Sequence, residues 1–160
     1  MTEEQELRKV CLIASKGTLD MAYPPLMLAI GAADMGAEVH IFFTFWGMNL
    51  ILKDGAENLK LSPIGKPEMP MPIPNVVSAI PGMTPIATWM MKKQIKDTGI
   101  KSVPELLQMA KKAGVHLYAC SPSMGMMKLK KDDLIPEVEK IIGVAGFLDI
   151  ATGSDITLFI

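Results

Sequence analysis

Mainly apolar runs alternate with longer helical segments along this chain. Residues 9–15 (KVCLIAS) and 38–45 (EVHIFFTF) are short runs of the kind found in strands that are buried on both faces of a sheet. Between them, residues 20–35 read as an apolar helix that ends at Gly36. Strand, helix and strand in this order predict a βαβ unit, in which the two strands pair in parallel through a right-handed crossover.

Two helix starts can be read from their capping residues. Asp20 is a suitable N-cap for the first helix, which would put Pro24 and Pro25 near the first turn, where a missing N–H costs least. Ser102 begins a second signal, with a proline two positions on and Glu105 at the third helical position. We therefore expect helices to begin at these two places.

The second half of the chain continues the alternation. Helices are expected at 85–96, 103–113 and 143–152, strands at 115–119 and 156–160, and an irregular or helical piece at 134–142. Strands that alternate with helices predict an α/β fold. We expect a doubly wound, mostly parallel sheet of four to five strands with helices on both faces.

A proline- and methionine-rich stretch interrupts this pattern at residues 62–85, which contain seven prolines. A long loop inside a compact domain is usually functional, and the apolar content here argues against a solvated linker. We interpret the stretch as an ordered lid or as an arm that packs on a neighbouring subunit. The apolar residues 76–91 are too short and too interrupted by proline to span a bilayer, so we expect no membrane association.

Composition narrows the function classes. A length of 160 residues suits one domain, 1–160. The net charge of −1 and the single arginine, Arg8, argue against nucleic-acid binding. Two cysteines make no disulfide framework and the polar N-terminus resembles no signal peptide, so a cytoplasmic location is expected. His40 and His116 stand alone in the sequence, and we infer neither a metal site nor a cofactor.

Loops at the carboxyl ends of the strands are where parallel sheets bind ligands. Residues 15–20, 44–47 and 120–125 should meet there. Cys120 lies where a strand passes into a helix that Ser121 or Ser123 could cap, and a helix N-terminus favours the nucleophilic thiolate. Lys16 could add a positive charge. The residues expected to contact substrate are Ser15, Lys16, Gly17, Ser121, Ser123 and Met124.

We interpret Cys120 as a reactive cysteine, and the alternative is that it is a buried structural residue. Cys11 lies within an apolar strand, so we expect it in the core. Met126 stands where a phosphatase or rhodanese loop would have arginine, and Ser123 stands where a two-thiol redox motif would have its second cysteine. A single thiol can still accept and pass on a group, and persulfide sulfur is the obvious cargo.

Other signals are weaker. Lys16-Gly17-Thr18 resembles the end of a phosphate-binding loop but lacks the preceding glycines, so an ordinary turn is the better interpretation. Four aromatic residues near the second strand end could wall a pocket or fill the core. They are Phe42, Phe43, Phe45 and Trp46. Three lysines after the Cys120 helix could be a solvated patch or could steer an acidic partner. They are Lys128, Lys130 and Lys131.

At these motifs the chain resembles the DsrE/DsrF-like sulfur-relay family, in particular its larger branch, which is sometimes labelled peroxiredoxin-like. The similar stretches are residues 14–27 (ASKGTLDMAYPPLM), 41–48 (IFFTFWGM), 69–76 (MPMPIPNV), 81–93 and 119–125 (ACSPSMG). The resemblance implies a flavodoxin-like fold, assembly into homotrimers or hexamers, and a cytoplasmic sulfurtransferase or sulfur carrier. It implies that Cys120 holds a persulfide, and that the partners are small TusA-like or rhodanese-type carrier proteins.

Three hypotheses remain open at this point. The first is the sulfur carrier, in which Cys120 accepts sulfane sulfur and passes it to a partner thiol. The second is a non-catalytic oligomeric binding or assembly module that acts through residues 62–85. The third, suggested by fold class alone, is a nucleotide- or flavin-binding domain.

Overall fold

The computed structural model describes residues 7–62 and 83–160. Its strands in these ranges are β1 (Lys9–Ala14), β2 (Glu38–Phe43), β3 (His116–Cys120), β4 (Lys140–Ile142) and β5 (Ile156–Phe159). Its α-helices are α1 (Leu19–Asp34), α2 (Met83–Asp97), α3 (Val103–Lys112), α4 (Ser121–Met127) and α5 (Val144–Ala151). Two short 3-10 helices span Phe45–Ile51 and Lys131–Asp133.

The five strands form one parallel sheet in the order β4-β3-β2-β1-β5. This confirms the predicted fold class and the βαβ unit of β1, α1 and β2. From β1 to β4 each strand is added on the same side of the sheet, and β5 returns to the other side of β1. Because parallel crossovers are right-handed, α5 lies on the face opposite α1 and α3. Accordingly, α1 packs on α3, whereas Phe147 of α5 stacks on Phe42 of β2 with ring centroids 4.6 Å apart.

Burial explains why the three central strands were readable from the sequence. In β2, five of the six residues are buried, and in β3 four of five. Both faces of these strands are covered, so their apolar residues run continuously rather than alternating. In contrast, all four residues of the edge strand β5 are exposed. The central strands therefore carry the core, and their carboxyl ends position the loops described below.

Two local predictions about α1 were wrong. Thr18 rather than Asp20 is its N-cap, so Pro24 and Pro25 lie inside the helix rather than near its first turn. The end was predicted correctly, since Gly36 has a φ of 86° and its N–H donates to the Ala33 carbonyl oxygen. The left-handed backbone at this position explains why a glycine ends the helix.

The start of α3 agrees with its sequence signal. Both the N–H and the hydroxyl of Ser102 donate to the Glu105 carboxylate, at 2.8 and 2.7 Å. These hydrogen bonds lower the pKa of Glu105. The capping residues at this helix were therefore sufficient to locate it.

Strand β4 was missed, because residues 134–142 were expected to be irregular or helical. It has only three residues and none of them is buried, so no apolar period marks it. Pairing with β3, in which Tyr118 is in register with Lys140, makes it a strand. Most of the predicted arm at 62–85 lies outside the described residues. Within residues 7–62 and 83–160, no helix has both the length and the apolar character that crossing a membrane requires.

Candidate functional site

The loops that follow β1 and β2 are in direct backbone contact at the carboxyl edge of the sheet. The N–H of Thr44 donates to Ala14 O at 3.0 Å, and that of Gly47 to Ser15 O at 3.1 Å. A Cβ atom on Gly47 would collide with the Ala14 carbonyl, and one on Gly17 would collide with the backbone carbonyl of Trp46. Both glycines are needed because the two chains approach too closely for a side chain.

Ser123 joins the third loop to the other two. Its hydroxyl oxygen accepts a hydrogen bond from the Phe45 N–H at 2.9 Å and lies 3.1 Å from the Thr44 hydroxyl. Phe45 has a φ of 46°, which is uncommon for a residue with a side chain, and this hydrogen bond helps to hold it there. The predicted convergence of the three loops is therefore confirmed.

Cys120 lies at this edge as the last residue of β3 and as the N-cap of α4. Capping by Ser121 or Ser123 was predicted, but Cys120 itself occupies the cap position and no side-chain cap is formed. Ser123 instead reaches across to the loop after β2. Cys120 is a free thiol and is only 2% exposed, so it is closed to solvent at this edge.

The other residues expected to contact substrate fall into two groups. Three of them make contacts within the protein. The Ser15 hydroxyl donates to Ile160 O at 2.9 Å, the Ser123 side chain is buried and hydrogen-bonded, and Met124 packs in the core. The others are more open, with Lys16 and Ser121 exposed and Gly17 half-buried. Ser15 is half-buried like Gly17, so Ser123 and Met124 are the two of the six that are buried.

The aromatic residues after β2 divide between the two interpretations. Phe42 and Phe43 are core residues, whereas Phe45 and Trp46 are 55% and 61% exposed. Their exposed rings lie in the loop that Ser123 ties to the start of α4. The loop after β2 therefore presents two exposed aromatic rings at the carboxyl edge of the sheet.

Cys11 is a core residue, as predicted. It is fully buried in β1 and in register with His40 of β2. Burial raises the pKa of the Cys11 thiol, against a smaller opposing effect from a hydrogen bond with Ser154. A neutral thiol in the middle of a strand is inert.

His40 and His116 stand alone in the sequence but are neighbours in the fold. His40 and His116 are in register on β2 and β3, and their rings stack with centroids 4.9 Å apart. Glu38, two residues before His40, contributes a carboxylate oxygen 2.9 Å from His40 Nε2. Sequence reasoning missed this cluster because only the pairing of the strands brings its members together.

Further polar groups surround the two rings. His116 Nδ1 lies 2.7 Å from a Glu139 carboxylate oxygen, and His40 Nδ1 lies 3.2 Å from the Tyr118 hydroxyl. Burial lowers the pKa of His40, and contact with Glu38 opposes this effect. The hydrogen bond from His116 lowers the pKa of Glu139, while burial raises the pKa of Tyr118 to about 12.

These features define an α/β protein with a parallel sheet and one thiol at the edge where three loops meet. Residues 6–159 match the DsrE/DsrF/DrsH-like family, and the chain belongs to that family. It is 41% identical over 161 residues to the sulfur carrier protein DsrE2 of Allochromatium vinosum, covering 97% of this chain and 99% of the relative. It is 30% identical over 170 residues to the uncharacterized protein YrkE of Bacillus subtilis, covering 100% of both.

Two solved structures have the same fold at low sequence identity. They are the ychN protein of E. coli, with a TM-score of 0.59, and a protein of unknown function, MTH1491, from Methanobacterium thermoautotrophicum, with a TM-score of 0.54. Each is 12% identical, and each match covers 96% of this chain and 99% of the other. At this identity the likeness supports the fold alone.

Proposed function

We propose that this protein is a sulfur carrier, in which Cys120 accepts sulfane sulfur as a persulfide and delivers it to a partner thiol. The observation that carries the proposal is the placement of Cys120 at the edge where the three loops converge. The 41% identity to a protein named as a sulfur carrier supports the same chemistry.

The transfer needs one protein thiol and no external oxidant. The Cys120 thiolate attacks the outer sulfur of a donor persulfide, a bond forms to that sulfur, and the donor's S–S bond breaks. The donor leaves as a thiolate and takes up a proton, so the oxidation level is exchanged between the two thiols. Delivery is the same reaction in reverse, with an acceptor thiolate as the attacking group. Cys11, buried in β1, has no role in either step.

Burial of Cys120 makes access a part of the mechanism. Because the thiol is 2% exposed, neither a donor nor an added sulfur atom fits without movement of the surrounding edge. The first turn of α4 carries Ser123, whose hydroxyl bonds the loop after β2. We propose that opening of this contact admits the sulfur donor, and that closing it shields the persulfide from other thiols.

The proposed partners are small TusA-like or rhodanese-type carrier proteins, and the proposed assembly is a homotrimer or hexamer in a reducing cytoplasm. Exposed lysines follow α4 and would attract an acidic partner to the loop edge. They are Lys128, Lys130 and Lys131. Reversing their charge to glutamate should slow sulfur transfer from a persulfidated TusA-like protein at low salt. The same reversal at the exposed Lys96 of α2 should not.

The central experiment is intact mass spectrometry after exposure to polysulfide, with wild type, Cys11→Ser and Cys120→Ser compared. We expect a gain of one sulfur atom that a reductant reverses, in wild type and in Cys11→Ser but not in Cys120→Ser. Equal labile sulfur on Cys120→Ser, or a gain that follows Cys11, would refute the carrier proposal. The alternative binding module depends on residues 62–85, most of which lie outside the described residues.

A further inference from the structure

We propose that Glu38, His40 and His116 form a binding site for a first-row divalent metal ion, with Zn²⁺ as the first ion to test. One ligand atom from each of the three side chains lies within 4.8 Å of the other two. Two imidazoles and one carboxylate are a donor set that suits Zn²⁺ and related ions.

The sheet itself places these three side chains together. His40 and His116 are paired residues on the parallel strands β2 and β3, so their side chains leave the same face of the sheet. Glu38 lies two residues before His40, and alternation along a strand puts it on that face too. The site therefore rests on backbone pairing and not on the chance position of surface loops.

Groups around the two rings can orient them as ligands. Glu139 accepts a hydrogen bond from His116 Nδ1, which leaves the Nε2 lone pair for a metal. The Tyr118 hydroxyl lies beside His40 Nδ1 and can accept its proton, which leaves His40 Nε2 for the metal as well. Such partners on the outer nitrogen are typical of histidines that bind metals.

Glu38 is the carboxylate of this cluster that a bound cation would compensate. Glu139 lies 4.0 Å from both Lys111 and Lys140 in addition to its bond with His116, so its charge is already compensated. Within the described residues, Glu38 forms an ion pair with His40. A divalent ion that took the place of the proton between His40 Nε2 and Glu38, with the imidazole proton then on Nδ1, would compensate the Glu38 carboxylate directly.

Metal binding requires a limited rearrangement. Ligand atoms around tetrahedral Zn²⁺ lie about 3.4 Å apart for bonds of about 2.1 Å, so a pair that is 4.8 Å apart must approach by about 1.4 Å. The rings stack at an interplanar angle of 17°, and one of them must turn for both lone pairs to converge. The side chains of Glu38 and His116 are 58% and 38% exposed, which gives them room to move and gives the ion a path from solvent.

The site is separate from the proposed sulfur carrier site. His116 and Cys120 are the two ends of β3, about 13 Å apart at roughly 3.3 Å per residue. Metal binding can therefore be tested in Cys120→Ser, where the carrier chemistry is absent. A failure of either proposal leaves the other intact.

The test is a titration of metal-free Cys120→Ser protein with Co²⁺, followed by visible absorption, and with Zn²⁺ in competition with a chromogenic chelator. We expect one ion per chain and a Co²⁺ spectrum without a thiolate charge-transfer band. Glu38→Gln and His116→Gln should each weaken binding by at least about tenfold, and Glu139→Gln by about 10- to 100-fold. Glu57→Gln, at an exposed carboxylate elsewhere, is the matched control and should bind as the parent does.

Because the chain contains only two histidines, NMR signals from the imidazole rings report on the site directly. Both should shift on addition of one equivalent of Zn²⁺. The proposal is overturned if no stoichiometric binding occurs, or if Glu38→Gln and His116→Gln, shown to be folded by circular dichroism, bind as tightly as Glu57→Gln. A thiolate band would also overturn it, because Cys11 would then be a ligand in place of the proposed set.

Discussion

Replacing Ser123 by alanine should separate the start of α4 from the loop after β2. The substitution removes the acceptor of the Phe45 N–H and the hydroxyl partner of Thr44. Leaving buried polar groups unpaired costs about 1–3 kcal/mol. Because the Phe45 amide is only partly buried, water can replace some of the lost bonding. We therefore expect the free energy of unfolding to fall by about 2 kcal/mol. In a domain of this size, that loss lowers Tm by about 4–8 °C.

The assay is urea unfolding of Ser123→Ala beside Ser121→Ala. Ser121 is exposed at the first position of α4, and its substitution should change the free energy of unfolding by no more than about 0.5 kcal/mol. For Ser123→Ala the midpoint should fall while the m-value stays constant, because the unfolded surface is unchanged. Equal stability of the two variants would refute the assigned role of Ser123.

The same contact should control the reactivity of Cys120. If a thiol reagent reaches this 2% exposed residue only after the edge opens, a loss of about 2 kcal/mol raises the open population about 30-fold. The rate of modification of Cys120 by a disulfide reagent should rise accordingly in Ser123→Ala, measured in a Cys11→Ser background. An unchanged rate would mean that opening elsewhere admits the reagent.

Three further substitutions test the fold around the site. Phe147→Ala removes the buried partner of Phe42 and should lower the free energy of unfolding by about 3–5 kcal/mol in urea. Gly47→Ala forces the backbone away from Ala14 and should cost about 3 kcal/mol by the same assay. Asp155→Ala removes the carboxylate that accepts hydrogen bonds from the Arg8 and Lys9 amides. These hydrogen bonds lower the pKa of Asp155 in the folded protein. The substitution should therefore destabilise the protein most near neutral pH, and the effect should shrink as acid protonates the wild-type carboxyl.

Each of these has a matched comparison. Leu148→Ala, on the exposed side of α5, should be far milder than Phe147→Ala, and equal losses would contradict the stacked core position. A Cβ atom at Gly125 of α4 meets open space, so Gly125→Ala should be neutral or stabilising. If it lowered the free energy of unfolding as much as Gly47→Ala, the loss at Gly47 would not be due to the close approach of Ala14. Asp155→Asn keeps an acceptor without the charge, and retention of the wild-type acid dependence in that variant would contradict the role of ionised Asp155.

Local sequence patterns were sufficient for the fold class and for the position of Cys120. The continuous apolar runs of β1, β2 and β3 follow from burial on both faces, and a helix between β1 and β2 implies parallel strands. Parallel strands bring their carboxyl ends to one edge, so the three loops and Cys120 could be placed together from the order of elements alone. The family resemblance added the proposed sulfur chemistry, which neither periodicity nor composition contains.

Tertiary structure alone decided the contacts between residues that are distant in sequence. Ser123 was expected to cap a helix, but packing of α4 against the loop after β2 gives its hydroxyl two other partners. The strand β4 exists because β3 offers it an edge, and its three residues carry no apolar period. His40 and His116 became neighbours only through the register of β2 with β3. Burial leaves a mark on the local sequence, whereas strand register and side-chain pairing depend on how the whole chain packs.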